Sequence, residues 1–154
     1  GNCDFTGSDL SGSRIKMSNL SGNIFKNCSL KEAEVLESNI SGCDFTGADF
    51  TGTVFKYGGL DKNEMADTSL NHTSFVSMRM VDMVFSGTAE NCFLENCSFT
   101  RVRFENATLL NTFFKGNRKL NRISFINCKA DRMTYEFLKQ GKADLTGISL
   151  IVQP

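Results

Sequence analysis

No run of about eighteen apolar residues occurs in this 154-residue chain, which excludes a membrane-spanning helix. Its start lacks the layout of a secretory signal peptide. It has a single histidine, no Cys-x-x-Cys pair and no glycine cluster opening a helix. A Ser/His/Asp arrangement would therefore rest on His72, which has no distinctive serine motif beside it. Metal binding by paired cysteine and histidine lacks its ligands, phosphate binding by a glycine-rich loop lacks its loop, and no cofactor is implied. Neither sign of charge dominates: 17 Lys and Arg balance 17 Asp and Glu. The balance is uneven along the chain, since residues 1–77 carry six basic against ten acidic groups (−4) and residues 78–154 carry eleven against seven (+4).

What is present is a period. From Phe5 to Phe85 every fifth residue is apolar, in a row that includes Leu10, Ile15, Leu20, Phe25, Phe45, Phe50, Phe55 and Phe75. On an α-helix five residues advance about 140° beyond a full turn, so the row would smear around the cylinder. On a flat strand five is odd, so alternate members would face opposite ways. Burying all of them requires a corner once per unit and a chain wound about a central axis. The chain reads as a solenoid.

Two further positions keep the same beat. Two residues before each apolar position sits a mostly small one, among them Cys3, Ser8, Ser13, Cys28, Ala33, Ala48, Thr53 and Thr73. This reads as a crowded inward slot. Two residues after the apolar position fall Gly7, Gly12, Gly22, Gly42, Gly47, Gly52 and Gly87, where the chain is expected to bend. The unit is clearest in Cys43-Asp44-Phe45-Thr46-Gly47 and Ala48-Asp49-Phe50-Thr51-Gly52.

These units resemble the pentapeptide-repeat family. The resemblance implies an all-β fold, a right-handed, four-sided parallel β-helix with four units per coil. Periodicity alone leaves a three-sided coil open.

The rhythm falters in three places. Nine residues separate Phe85 from Leu94, so Ser86 to Asn91 is expected to hold a bulge or loop. One residue is inserted before Leu120. The segment 131–141 loses the pattern, and Asp131 or Thr134 as N-cap, Tyr135, Phe137 and Leu138 as apolar face and Gly141 as terminus suit one short helix. The expected organisation is a β-helix over 1–130, with 131–154 forming a helix and final units that cap it or join a following domain. The start at Gly1 and the end at Ile151-Val152-Gln153-Pro154 read as those of an excised piece.

Cys3, Cys28, Cys43, Cys92, Cys97 and Cys128 all occupy the small inward slot and read as buried hydrophobes. That favours a reducing compartment, the bacterial cytoplasm or, for a secreted protein, a host cytosol. His72 and the pair Asp44 and Asp49 fall on outward positions, which argues against catalysis by this chain. The Asn-x-Ser/Thr tripeptides, such as those at Asn19 and Asn39, are a by-product of the repeat.

Function must then lie on the outer surface. On the side of the Ile15 column Met17, Leu36, Val54, Tyr57 and Val76 project outward, which reads either as an apolar strip for a protein partner or as residues folded back on neighbouring coils or covered by a flanking segment. Phe93 and Phe113, each just before a core position, form a second candidate. Lys115, Arg118, Lys119 and Arg122 form a basic patch that invites phosphate, yet it lacks interleaved aromatics, so a solvated face or an acidic protein partner suits it better than nucleic acid.

Two functional classes follow. The ending Lys142-Ala143-Asp144-Leu145-Thr146-Gly147 and the Ser/Asn/Phe-rich units look like the β-helical domain of bacterial secreted effector ubiquitin ligases of the HECT-like type. That resemblance implies a non-catalytic domain selecting a host target, with the catalytic cysteine in a separate region of a larger protein delivered by type III secretion. The alternative, implied by other pentapeptide-repeat proteins, is a DNA mimic that inhibits or protects a type II topoisomerase. Mimicry asks for a strongly negative rod, and this sequence sums to zero.

Overall fold

The structure, a computed structural model, describes residues 2–151. Gly1 and residues 152–154, the two ends read above as cut, lie outside the described residues.

Register decides the number of sides. Strands pair in parallel with partners twenty residues apart, as in Ile15↔Val35, Val35↔Phe55 and Phe55↔Phe75, so four five-residue units complete one coil. The solenoid makes about seven turns. Each unit supplies one side, and the sides are named here after the columns that begin at Phe5, Leu10, Ile15 and Leu20. The Ile15 side stacks Arg14–Lys16, Glu34–Leu36, the first half of Val54–Asp61, the first half of Ser74–Val81, Phe93–Glu95 and Phe113–Lys115. Val54–Asp61 and Ser74–Val81 continue around the corner without a break and supply the Leu20 side as well.

Core packing follows from the stacking. Phe25, Phe45, Phe50, Phe55, Leu60, Met80 and their column neighbours are buried. Phe5, Phe25 and Phe45 stack nearly face to face, with centroids 5.2 and 4.9 Å apart and planes within 8°. Phe85, Phe104 and Phe125 repeat the arrangement at 5.0 and 5.4 Å. These separations match the spacing of hydrogen-bonded strands, about 4.8 Å, so backbone pairing and ring stacking are satisfied together. The first coil is the exception to the expected burial of the whole row. Phe5 is exposed and Leu10, Ile15 and Leu20 only half-buried, because described chain covers them on one side only. Cys3 is exposed for the same reason.

The corners sit two residues after the apolar position, as expected, and the backbone there has positive φ whatever the residue. Gly7, Gly12 and Gly47 adopt φ of 72–73°, while Met17, Tyr57, His72 and Asn96 are held between 52° and 60°. Glycine marks the corner because it pays least for this conformation; closure of the coil imposes it on the rest.

The small slot does more than fit. Thr53 Oγ1 donates to the Leu30 carbonyl at 2.6 Å, Thr73 Oγ1 to Phe50 at 2.8 Å and Asn63 Nδ2 to Ile40 at 2.9 Å. Cys92, Cys97 and Cys128 donate in the same way to Leu70, Phe75 and Phe104 at 3.2–3.3 Å. Each reaches a core carbonyl one coil back. At these positions the slot holds a small side chain with a donor, whereas Ala33, Ala48 and Val102 fill it by size alone.

The bulge or loop expected at 86–91 is not there. Val84–Glu90 is one strand, and Ala89 stands in the Leu10 column between Leu70 and Leu109. The unit has lost one residue, and the register shift is absorbed at Gly87, φ 103°. A Cβ on Gly87 would approach the Thr68 carbonyl oxygen at 2.8 Å, so the shortcut needs glycine. The residue inserted before Leu120 produces a short 3-10 turn, Leu120–Arg122, with Leu120 still buried.

Helix α1, Arg132–Gln140, stands where the next coil would continue the Ile15 side. Asp131 is its N-cap, accepting from the Thr134 N–H at 3.1 Å. The Asp131 Oδ2 and Thr134 Oγ1 also accept the N–H groups of Asn111 and Thr112, at 2.8 and 3.0 Å. The first turn thus supplies acceptors that the carbonyls of a further strand would have provided. Leu138 is fully buried and Gly141 lies against Leu120. Ile148–Leu150 then pairs with Cys128–Ala130 and resumes the solenoid.

Candidate functional site

The seven apolar candidates, first read as two separate sets, fall on one side of the solenoid. Register puts Val54, Phe93 and Phe113 in a single outward row that runs Arg14, Glu34, Val54, Ser74, Phe93, Phe113. Leu36 and Val76 belong to the parallel row Lys16, Leu36, Lys56, Val76, Glu95, Lys115, where Lys56 separates them. Met17 and Tyr57 stand at the corner of the same side.

Exposure differs among them for a backbone reason. Met17 is 74% and Tyr57 57% exposed, whereas Leu36, Val54 and Val76 are half-buried beneath neighbouring coils. The positive φ of Met17 (52°) and Tyr57 (60°) goes with side chains standing clear of the coil. Lys56 Nζ lies 5.0 Å from the centre of the Tyr57 ring and flanks it with positive charge.

Toward the C-terminal end the row closes into an aromatic ladder. Phe93 and Phe113 lie 6.2 Å apart, and Phe113 meets Phe137 of α1 at 5.2 Å, with interplanar angles of 48° and 51°. Phe137 is one of the apolar residues that suit the short helix. That it lands on Phe113 could not be read from sequence, because the helix replaces a strand and so leaves the repeat's register.

Lys115, Arg118, Lys119 and Arg122 are all exposed. Lys115 flanks the ladder, and Arg118 lies one coil beyond Ser98, itself paired with Arg79 on the Leu20 side. None of the four is in an ion pair among the described residues, where the pairs are Lys26–Asp44, Lys31–Asp49, Arg101–Asp82, Arg103–Glu105 and Arg132–Glu136.

The titratable groups elsewhere are structural. Burial pushes the thiols of Cys92 and Cys97 up to about 11, leaving them protonated and unreactive at neutral pH. Burial alone would raise the carboxyls of Asp44 and Asp49. The Thr46 and Thr51 hydroxyls at 2.6 Å, their N–H groups and the ammonium groups of Lys26 and Lys31 outweigh it and hold both below the usual carboxylate range. His72 is exposed and bonds through Nδ1 to Asn71 at 2.9 Å. Among the described residues no three His, Cys, Asp or Glu side chains converge as metal ligands would, and no helix is long and apolar enough to cross a membrane.

Comparison with known proteins agrees with this architecture. The family model described as pentapeptide repeats (8 copies) matches residues 25–56. No curated protein is significantly similar in sequence. Among solved structures, a trypsin-treated form of QnrB1, a plasmid-mediated fluoroquinolone resistance protein, superposes with a TM-score of 0.58 at 16% identity, over 97% of this chain and 90% of that one. HetL, a pentapeptide repeat protein involved in heterocyst differentiation regulation from the cyanobacterium Nostoc sp., gives a TM-score of 0.30 at 14% identity, over 83% and 73% of the two chains. At such identities the first of these shows a shared fold. With its twenty-residue register the chain is a four-sided parallel β-helix, and its segment 25–56 is similar to pentapeptide repeats.

Proposed function

We propose that this chain is a non-catalytic protein-recognition module that meets its partner with the Ile15 side of the solenoid. The observation that carries the reading is the concentration of exposed apolar groups there. Among the described residues the exposed large hydrophobics are Phe5, Met17, Tyr57, Phe113, Ile126 and Leu150, and three of these six lie on that side. A rigid, regularly paired backbone presents them without reorganisation on binding, which limits the entropic cost of association. The sequence resemblance to secreted HECT-like ligases extends the reading to target selection within a larger bacterial effector. Replacing Tyr57 and Val54 together by Glu tests it: capture of a partner from host-cell lysate is expected to be lost while the thermal melt is retained. Undiminished capture would contradict it.

DNA mimicry is the weaker reading. The acidic rows of the Phe5 and Leu10 sides are interrupted by Ile24, Ser29 and Ser69, and Asp44 and Asp49 each have an ammonium group 3.6 Å away. A gyrase supercoiling assay is expected to show no inhibition by this protein.

A further inference from the structure

Between α1 and the last strands of the Ile15 side lies a groove of about 410 Å3, lined chiefly by Phe93, Phe113, Phe137, Lys115 and Gln140. Its floor is aromatic. The rings contact one another at 48° and 51° and leave a hydrocarbon cleft, unlike the parallel, evenly spaced platforms on which successive bases stack. Phe113 remains 36% exposed within the cleft even though α1 packs beside it.

The rim is positive. Lys115 lines the groove itself. Lys139 and Lys142 adjoin its lining residues Gln140 and Gly141, and Gly141 lies against Leu120, which Lys119 and Arg122 flank in sequence. Those five cations and Arg118 are exposed and in no ion pair among the described residues. Two carboxylates stand close: Glu95, in register with Lys115, and Glu136, paired with Arg132. The excess of positive charge around an apolar cleft defines the complement it lacks.

We propose that this groove binds an acidic peptide segment that inserts one aromatic or large aliphatic side chain between Phe93, Phe113 and Phe137. The anchor side chain would displace water from the cleft, while flanking carboxylates meet Lys115, Lys139 and Lys142. This rests on the protein-recognition reading and assigns the chemistry of one partner segment.

The test is fluorescence polarisation with a labelled nonapeptide of Glu and Asp around a central Phe. Two comparison probes are the same peptide with central Ala and a labelled oligothymidine of equal charge. Saturable binding of the first peptide is expected, weakened roughly tenfold by the central Ala, by Phe113→Ser and by Lys115→Glu, and unaffected by Tyr57→Glu. Absence of saturable binding would overturn the proposal. So would equal binding of the Ala peptide, oligothymidine bound as tightly, or unchanged affinity in Lys115→Glu, a solvent-facing change that leaves the core intact. If the peptide fails while Tyr57→Glu and Val54→Glu still abolish partner capture, the acidic-peptide assignment falls and the recognition reading stands.

Discussion

Thr73 donates its hydroxyl to the carbonyl of Phe50, 2.8 Å away in the preceding coil and twenty-three residues earlier in sequence. The same carbonyl also accepts the N–H of Thr53 at 3.0 Å. The inward slot thus ties each coil to the one before it at the core rather than only along the strands. Thr73→Val keeps the volume and removes the donor, and is expected to cost about 1 kcal/mol. Thr73→Ser should cost less, because the donor survives. Urea unfolding of the two variants measures the difference, and equal losses would show that size alone matters at this slot.

His72 sits at a corner with φ 55°, and its exposed side chain bonds to Asn71. His72→Gly removes the strain of a left-handed backbone, and His72→Val adds β-branching to it. The two variants are expected to differ by about 1–2 kcal/mol, with glycine the more stable. A thermal melt that ranks valine at or above glycine would contradict the corner assignment.

Five of the six cysteines are buried and Cys3 is exposed. At pH 7 a maleimide reagent is expected to label one thiol per native chain and six after unfolding in guanidinium, as counted by intact mass. Rapid labelling of Cys92 or Cys97 in the native protein would conflict with thiols pushed up to about 11 by burial.

Asp44 and Asp49 have carboxyls held below their ordinary values in the folded state, burial notwithstanding, by the Thr46 and Thr51 donors and by Lys26 and Lys31. A depressed folded pKa contributes stability that is present above the unfolded value, about 3.9, and is lost as pH falls through the folded one. Melting temperature is therefore expected to stay level from pH 8 to about 5 and to drop below about pH 4. Asp44→Asn should blunt that acid-side drop.

Much of this was legible in the sequence, because a solenoid repeats one local rule. The apolar row, the inward slot and the corner each kept a fixed place in the unit, so Phe45, Cys43 and Gly47 were assigned without coordinates. Periodicity could not count sides; pairing twenty residues apart did. The nine residues from Phe85 to Leu94 read as a bulge or loop because Ala89 is small and out of step, and only pairing with Leu70 and Leu109 reveals it as a core residue. The unity of the candidate face was hidden likewise. Val54 and Phe113 are far apart in sequence, and the shortened unit between them obscures their common row.

On the proposed reading, one side of the solenoid meets the partner. A photo-crosslinking residue placed singly at Tyr57 on the Ile15 side, Lys26 on the Phe5 side, Ser69 on the Leu10 side and Asn39 on the Leu20 side measures this directly, with yield of the partner adduct as the readout. Strong crosslinking from Tyr57 alone is the predicted result. Equal yields at all four positions, or a maximum at Lys26 on the opposite side, would contradict it.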